Sequence, residues 1–365
     1  VIHQARNDDA AAEIKDVALG STIAGMSEDA TRLVVVLGPT AGGKSELAAA
    51  IAETWRDVTS GQLPGEVIGA DSMQVYRHLD AGTAKPPRSL RQRVPHHLLD
   101  VVEPSEKFTV ADWLAQADAI IADCQERGVR PIVVGGTNLY IKALLEGLFD
   151  SPSANPMLRA ALDTLDNHVL HARLTDVDPT AAARIHVNDR KKMIRALEVY
   201  ELTGKPISTQ QTQWREETAA QADVEMPGGY RHDPILIGLR WEVEALNRRI
   251  NARVKAMFQP ADDAESLPEE VRRLEAAGLL PIGCQAREAL GYKQVLAALH
   301  PNAPHGRDAR IQTLDDALEQ TKILTRRFAK TQRTWLKRFR GVRWIEGAEV
   351  EQRGAETVAR LMEDE

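Results

Sequence analysis

Eight residues, Gly38-Pro39-Thr40-Ala41-Gly42-Gly43-Lys44-Ser45, follow the apolar run Leu33-Val34-Val35-Val36-Leu37 and fit the pattern G-x-x-x-x-G-K-[ST]. A tight glycine-containing turn between a buried strand and a helix aims several backbone N–H groups at one point, where the helix N-terminus adds positive potential. Lys44 contributes a mobile cation, and Ser45 a hydroxyl able to ligate Mg²⁺. The pattern places a polyphosphate over this loop without saying whose polyphosphate it is.

Three other segments carry groups that do chemistry. The apolar stretch Glu66 to Ala70 ends in Asp71, and in parallel α/β sheets the C-terminal strand ends form the ligand crevice, so Asp71 is expected to face the same crevice as Lys44. At that place a carboxylate is a helix N-cap, a magnesium partner or a general base, and the residues alone leave all three open. Pro131 to Val134 is a further buried strand, entering a helix through Gly135-Gly136 with Thr137 at or near the N-cap. The Thr137 hydroxyl and neighbouring amides form a second anion-stabilising end, or only a cap. This strand lacks the Asp that closes a Walker-B strand, which weakens an ATP-hydrolysis reading. His96 and His97 are adjacent on an extended segment and point opposite ways, so they read as structural rather than as a metal pair.

The elements that position these groups follow from patterning. A strand at 33–37, a helix from about Lys44 to Trp55, a strand at 66–70, a helix near 109–127, a strand at 131–134 and a helix to about 147 make a βαβ series. The expected fold is α/β: a P-loop NTPase-like parallel sheet flanked by helices, with a helical inserted lobe. From Ser151-Pro152 the pattern turns helical, with caps or breaks at Asn155-Pro156, Asp178-Pro179 and Gly204-Lys205-Pro206; strand signals return at 235–239 and 342–345. The organisation read from this is a flexible extension over 1–30, a core formed by 31–150 and 230–365, and a helical insertion over 151–229.

Composition sets outer bounds. At 365 residues the chain exceeds the size of a single compact core. No apolar run is long enough to span a membrane, and two cysteines, Cys124 and Cys284, form neither a disulfide framework nor a zinc pattern; a cytoplasmic protein is expected. The net charge of -7 argues mildly against a nucleic-acid partner, yet nine Lys or Arg and no Asp or Glu lie between Thr321 and Arg343. That run reads as a basic helix, either a solvated face or, with Trp335 and Phe339 beside the cations, a surface that packs on one side and meets phosphates on the other.

With these residues in view, the chain resembles the tRNA dimethylallyltransferases from about Leu33 to Trp344. The resemblance is carried by the phosphate loop, by Asp71-Ser72-Met73-Gln74-Val75-Tyr76 leading to Gly82-Thr83-Ala84-Lys85-Pro86, and by Pro95-His96-His97-Leu98-Leu99-Asp100. Downstream it rests on Gly135-Gly136-Thr137-Asn138-Leu139-Tyr140, Arg195 to Tyr200 with Thr203-Gly204-Lys205-Pro206, and Thr325-Arg326, Ala329-Lys330 and Gln332-Arg333-Thr334-Trp335.

The resemblance implies transfer of a dimethylallyl group from dimethylallyl diphosphate to N6 of adenosine 37 in tRNA. In it Gly38 to Ser45 hold the diphosphate with Mg²⁺ on Ser45, Asp71 is the general base, and Lys44, Thr137 and Arg253 stabilise the leaving group. Arg253, which by itself is only a helix charge, takes that role solely through the family pattern. The tRNA-contacting positions implied are Asp71, Ser72, Met73, Gln74, Thr137, Arg159, Lys191, Lys192, Met193, Ile194, Arg195, Lys330 and Arg333. A monomer is expected, with no membrane partner. Departures from the pattern are Gly42 for a usual Ser, Val243 and Thr331 each for a usual Arg, and a longer segment over 258–268; no zinc-finger pattern follows, as in the bacterial form. The alternatives are an adenylate isopentenyltransferase acting on free nucleotide and a P-loop small-molecule kinase.

Overall fold

The computed structural model describes residues 31–58, 64–148, 152–210, 229–261, 264–303 and 308–355. The expected extension over 1–30 and most of the polar stretch before Gly229 lie outside the described residues. Strand β1 (Val34–Leu37) is buried along its whole length, as suits branched apolar side chains covered on both faces. It leads through the phosphate loop into α1 (Lys44–Val58), whose Leu47, Ala48 and Ile51 pack back on the sheet. The series continues with β2 (Glu66–Gly69), α2 (Arg88–Arg93), β3 (His96–His97), α3 (Val110–Glu126), β4 (Pro131–Val134) and α4 (Asn138–Glu146).

Beyond Gly229 come β5 (Ile235–Arg240), α10 (Val243–Phe258), α11 (Leu267–Ala276), α12 (Tyr292–Leu299), α13 (Leu314–Leu336), β6 (Val342–Glu346) and α14 (Gly347–Arg353). All neighbouring strands pair in parallel, in the order β3-β2-β4-β1-β5-β6. Strand β1 therefore lies at the centre between β4 and β5, and the turns after β1, β2, β4 and β5 share one sheet edge. The two histidines form the edge strand β3, where His97 Nε2 lies 2.7 Å from Glu66 Oε2 and His96 Nδ1 2.7 Å from Val94 O.

One expectation is corrected here. The basic run does not form a single helix to Arg343: α13 ends at Leu336, Lys337 to Arg340 turn the chain, and Arg343 lies on β6. Gly341, in the left-handed region at φ 64°, permits that turn. Trp335 is flanked by the cations of Lys142 and Arg338, the latter 4.8 Å from the ring centre, while Phe339 is buried.

The chain divides into two units, Val1–Leu144 with Tyr230–Glu365, and Leu145–Gly229. The second holds α5 (Pro156–Asp163), α6 (Asn167–Val177), α7 (Pro179–Arg184), α8 (Arg190–Thr203) and α9 (Ile207–Gln210) around a core that includes Leu162, Leu170, Leu174 and Leu197. Asn155 and Asp178 each accept a hydrogen bond from a first-turn amide, with a proline opening each helix, and Gly204 closes α8 at φ 66°.

Candidate active site

The strand ends open onto a cavity of about 570 Å³. Lys44 and Ser45 from the start of α1, Asp71 after β2, Gly135 and Gly136 after β4, Arg253 from α10 and Gln332 from α13 all line it. The phosphate loop is held from within and without. Gly42 N–H donates to Pro39 O at 3.1 Å, and Lys44 Nζ donates to Pro39 O at 2.7 Å. From outside, Gln332 Oε1 accepts from Thr40 N–H (2.8 Å), Arg249 Nε donates to Ala41 O (2.9 Å) and Trp241 Nε1 donates to Gly42 O (3.0 Å). Arg249 also lies over the Trp241 ring, 4.6 Å from its centre, and pairs with Glu351 on α14. A Cβ at position 42 would stand 2.8 Å from Pro39 O and 3.4 Å from the Trp241 indole nitrogen, so glycine fits this loop where a serine crowds it.

Electrostatically the site gathers cations in a poorly hydrated place. Burial, and then the neighbouring Arg253, lower Lys44 to about 8, against the opposing pull of Asp71 and Glu46. Burial likewise pulls Arg253 below the usual arginine range, while Asp71 and Glu46 act to restore it. Two positive groups held together at a desolvation cost make a receptor for concentrated negative charge.

Asp71 Oδ1 accepts from Met73 N–H at 2.9 Å and Gln74 N–H at 3.4 Å, so one oxygen caps its own turn; the other carries no hydrogen bond among the described residues. The cap and the base are therefore compatible roles. Thr137 Oγ1 accepts from Ser72 N–H at 2.9 Å, and Thr137 N–H donates to Ala70 O at 3.1 Å; the residue ties the Asp71 turn to the start of α4. A Cβ on Gly135 would lie 2.0 Å from Ala70 O. That closeness of the β2 and β4 ends explains why no Walker-B carboxylate stands there. Gln74 Nε2 donates to Thr83 O at 3.0 Å, fixing the turn that carries Lys85 and Pro86 into the cavity wall.

Among the expected RNA-contacting residues the structure separates surface from interior. Lys330 and Lys191 are exposed and Arg333 is half-exposed; none has a side-chain partner among the described residues, and Lys192 pairs with Asp189 at 2.6 Å. Met193 is fully buried and Ile194 nearly so, in the core of the helical unit. Their side chains supply the apolar face of α8, which leaves the exposed cations of Lys191 and Lys192 at the surface of this stretch. Arg159 and Arg195 both bind Glu198, itself 0% exposed: Arg159 Nε and Nη2 reach its two oxygens at 2.9 and 2.8 Å. Burial opposes ionisation of Glu198, yet these arginines and the Asn155 N–H outweigh it and hold the carboxyl below its usual range.

Sequence reasoning missed Trp241 and Arg249 as supports of the loop and quoted Gln332 only inside a motif. No spacing rule signals them, since each reaches the loop across 199, 208 and 292 positions of chain respectively.

A family model described as IPP transferase matches residues 74–339. The chain is 44% identical over 320 residues to a tRNA dimethylallyltransferase of Geobacter sulfurreducens, covering 87% of this chain and 92% of that protein. To a tRNA dimethylallyltransferase of Caldanaerobacter subterraneus it is 38% identical, covering 87% and 92%. Among solved structures it is similar to a tRNA isopentenylpyrophosphate transferase of Bacillus halodurans, with TM-score 0.58, 31% identity, and 92% and 100% of the two chains covered. A eukaryotic dimethylallyltransferase acting on tRNA superposes with TM-score 0.71 at 26% identity, covering 91% of this chain and 78% of the other.

Proposed function

We infer the reaction from the family: this chain belongs to the IPP transferases, and it transfers a dimethylallyl group from dimethylallyl diphosphate to N6 of adenosine 37 in tRNA, releasing diphosphate. The lone pair of that nitrogen is delocalised into the ring, so it is a weak nucleophile. As it bonds to the allylic carbon its proton becomes acidic, and a carboxylate within reach removes it. In our reading that carboxylate is Asp71, through the oxygen that its turn leaves unused. Meanwhile the C–O bond to the diphosphate breaks, and charge grows on the leaving oxygens. Lys44, the amides of Gly38 to Ser45, Arg253 and the Thr137 end of α4 meet it. The observation that carries this reading is the convergence of Lys44, Asp71 and Arg253 on one cavity, with both cations held there against desolvation.

Mg²⁺ suits the same place. The Ser45 hydroxyl makes no hydrogen bond among the described residues, and with diphosphate oxygens it forms the hard, substrate-completed donor set that this ion favours. No group of three His, Cys, Asp or Glu among the described residues offers an all-protein alternative. When bound, the ion neutralises charge on the diphosphate.

The adenine must leave its stack to reach the cavity. The turn Asp71 to Gln74, Thr137, Lys330 and Arg333 are proposed to receive it and the adjoining phosphates. Residues 151–229 are proposed as an RNA-binding insertion, with Lys191 and Lys192 at the surface and Arg159 and Arg195 shaping it through Glu198. The enzyme is proposed to act as a monomer, because one chain supplies every site residue, in the cytoplasm where tRNA resides. Asp71→Ala tests the central role: transfer is nearly abolished while inorganic diphosphate binds as before. Undiminished turnover in that variant overturns the general-base assignment.

A further inference from the structure

Gln332 is 1% exposed and spends both ends of its amide on backbone groups of two different loops. Its Oε1 accepts from Thr40 N–H at 2.8 Å, and its Nε2 donates to Gly136 O at 2.8 Å. Because one partner only donates and the other only accepts, the amide has a single satisfied orientation. A Cβ on Gly136 would fall 2.5 Å from Nε2, so glycine at 136 makes room for this bond. The two loops follow β1 and β4, neighbours in the sheet, and both reach the cavity: one is the phosphate loop, the other leads into Thr137. Nothing but this side chain, among the described hydrogen bonds, joins Thr40 to Gly136.

We propose that Gln332 is a positioning residue for prenyl transfer, fixing the separation of the phosphate loop from the Gly136-Thr137 turn so that donors on both meet the leaving diphosphate together. This rests on the reading of the cavity as the diphosphate site. Transition-state stabilisation by preorganised donors depends on geometry at the scale of an ångström. A buried amide bonded at both ends cannot relax toward water when one loop shifts, so it holds that geometry. Gln332 touches neither reacting carbon nor adenine, and its effect passes through Thr40 and Gly136.

The test uses the full-length enzyme with dimethylallyl diphosphate and tRNA. Gln332→Glu keeps an acceptor for Thr40 N–H but loses the donor to Gly136 O; Gln332→Met keeps the volume and loses both. The expected result is a fall in kcat of about 10- to 100-fold in both variants, the size of an ångström-scale misplacement, with KM for tRNA within about twofold of wild type. Thr137→Ala supplies the decisive comparison. If Gln332 acts by placing the Thr137 turn, the Gln332→Met/Thr137→Ala double variant is less impaired than the product of the two single losses. Folded variants with kcat within about twofold of wild type overturn the proposal, as do strictly multiplicative losses. Should one substitution prevent folding, the other decides. Failure of wild type to transfer the prenyl group would strike the cavity reading instead, before any variant is compared.

Discussion

Lys44 offers a quantitative check on the leaving-group pocket. Burial and the adjacent Arg253 place its ammonium at about 8 in the free protein. A bound diphosphate adds negative charge beside it and raises that value in the complex. The linkage then has one sign: affinity for the diphosphate is constant well below pH 8 and weakens as pH rises through it, because the free enzyme must take up a proton to bind. Between pH 7 and pH 9 the protonated fraction falls from roughly nine-tenths to one-tenth, so the dissociation constant rises about tenfold, or about 1.4 kcal/mol. Titration calorimetry with a saturated alkyl diphosphate, which has no allylic carbon to ionise, reads this directly. Lys44→Arg keeps its charge across the range and is expected to show no break near pH 8. Arg253→Gln removes the repulsion that lowers Lys44 and moves the break upward. A flat wild-type profile, or a break that survives in Lys44→Arg, refutes the assignment of Lys44 as the titrating phosphate ligand.

Glu198→Ala leaves Arg159, Arg195 and the Asn155 N–H without their buried acceptor, so the helical unit is expected to lose about 2 kcal/mol, discounted for the partly exposed arginines; thermal unfolding measures it. Gly135→Ala places a methyl against the Ala70 carbonyl, forcing β2 and β4 apart at the site edge; a stability loss of about 1–3 kcal/mol and reduced prenyl transfer are expected, and a wild-type unfolding midpoint would contradict the packing argument. Charge reversal at Lys330 and Arg333 is expected to weaken tRNA binding and lower the slope of log K against log salt by roughly 2, since a protein that neutralises fewer phosphates releases fewer counterions. An unchanged slope in a binding titration across salt concentrations would return α13 to a merely solvated face.

How far the sequence foretells this site depends on whether the signal is local. Val34–Leu37 and Pro131–Val134 are legible as strands because runs of branched apolar residues bounded by glycine leave few other readings. The phosphate loop is a local turn, and its motif is contiguous. Topology alone places Asp71 at the sheet edge, though its role needs the family pattern. Met193 and Ile194 enter the RNA-contacting set only through the family pattern. Yet Met193, Ile194 and Leu197 recur at helical spacing, the mark of a core face. The end of α13 is blurred because lysine and arginine favour helix, whereas Gly341 and the pairing of β6 with β5 stop it. Trp241, Arg249 and Gln332 act on consecutive residues of the phosphate loop from distant segments. Such convergence exists only once the sheet has brought its strand ends together.

We propose that the polyphosphate held at Gly38 to Ser45 is a leaving group and not an energy source. Isotope-labelled dimethylallyl diphosphate, incubated with the enzyme, Mg²⁺ and unmodified tRNA, then nuclease digestion and identification of the labelled nucleoside, tests it most directly. The expected result is label on N6 of adenosine 37, equimolar release of diphosphate and no requirement for ATP. Label on free AMP but not on tRNA, or turnover only with consumption of ATP, would contradict it.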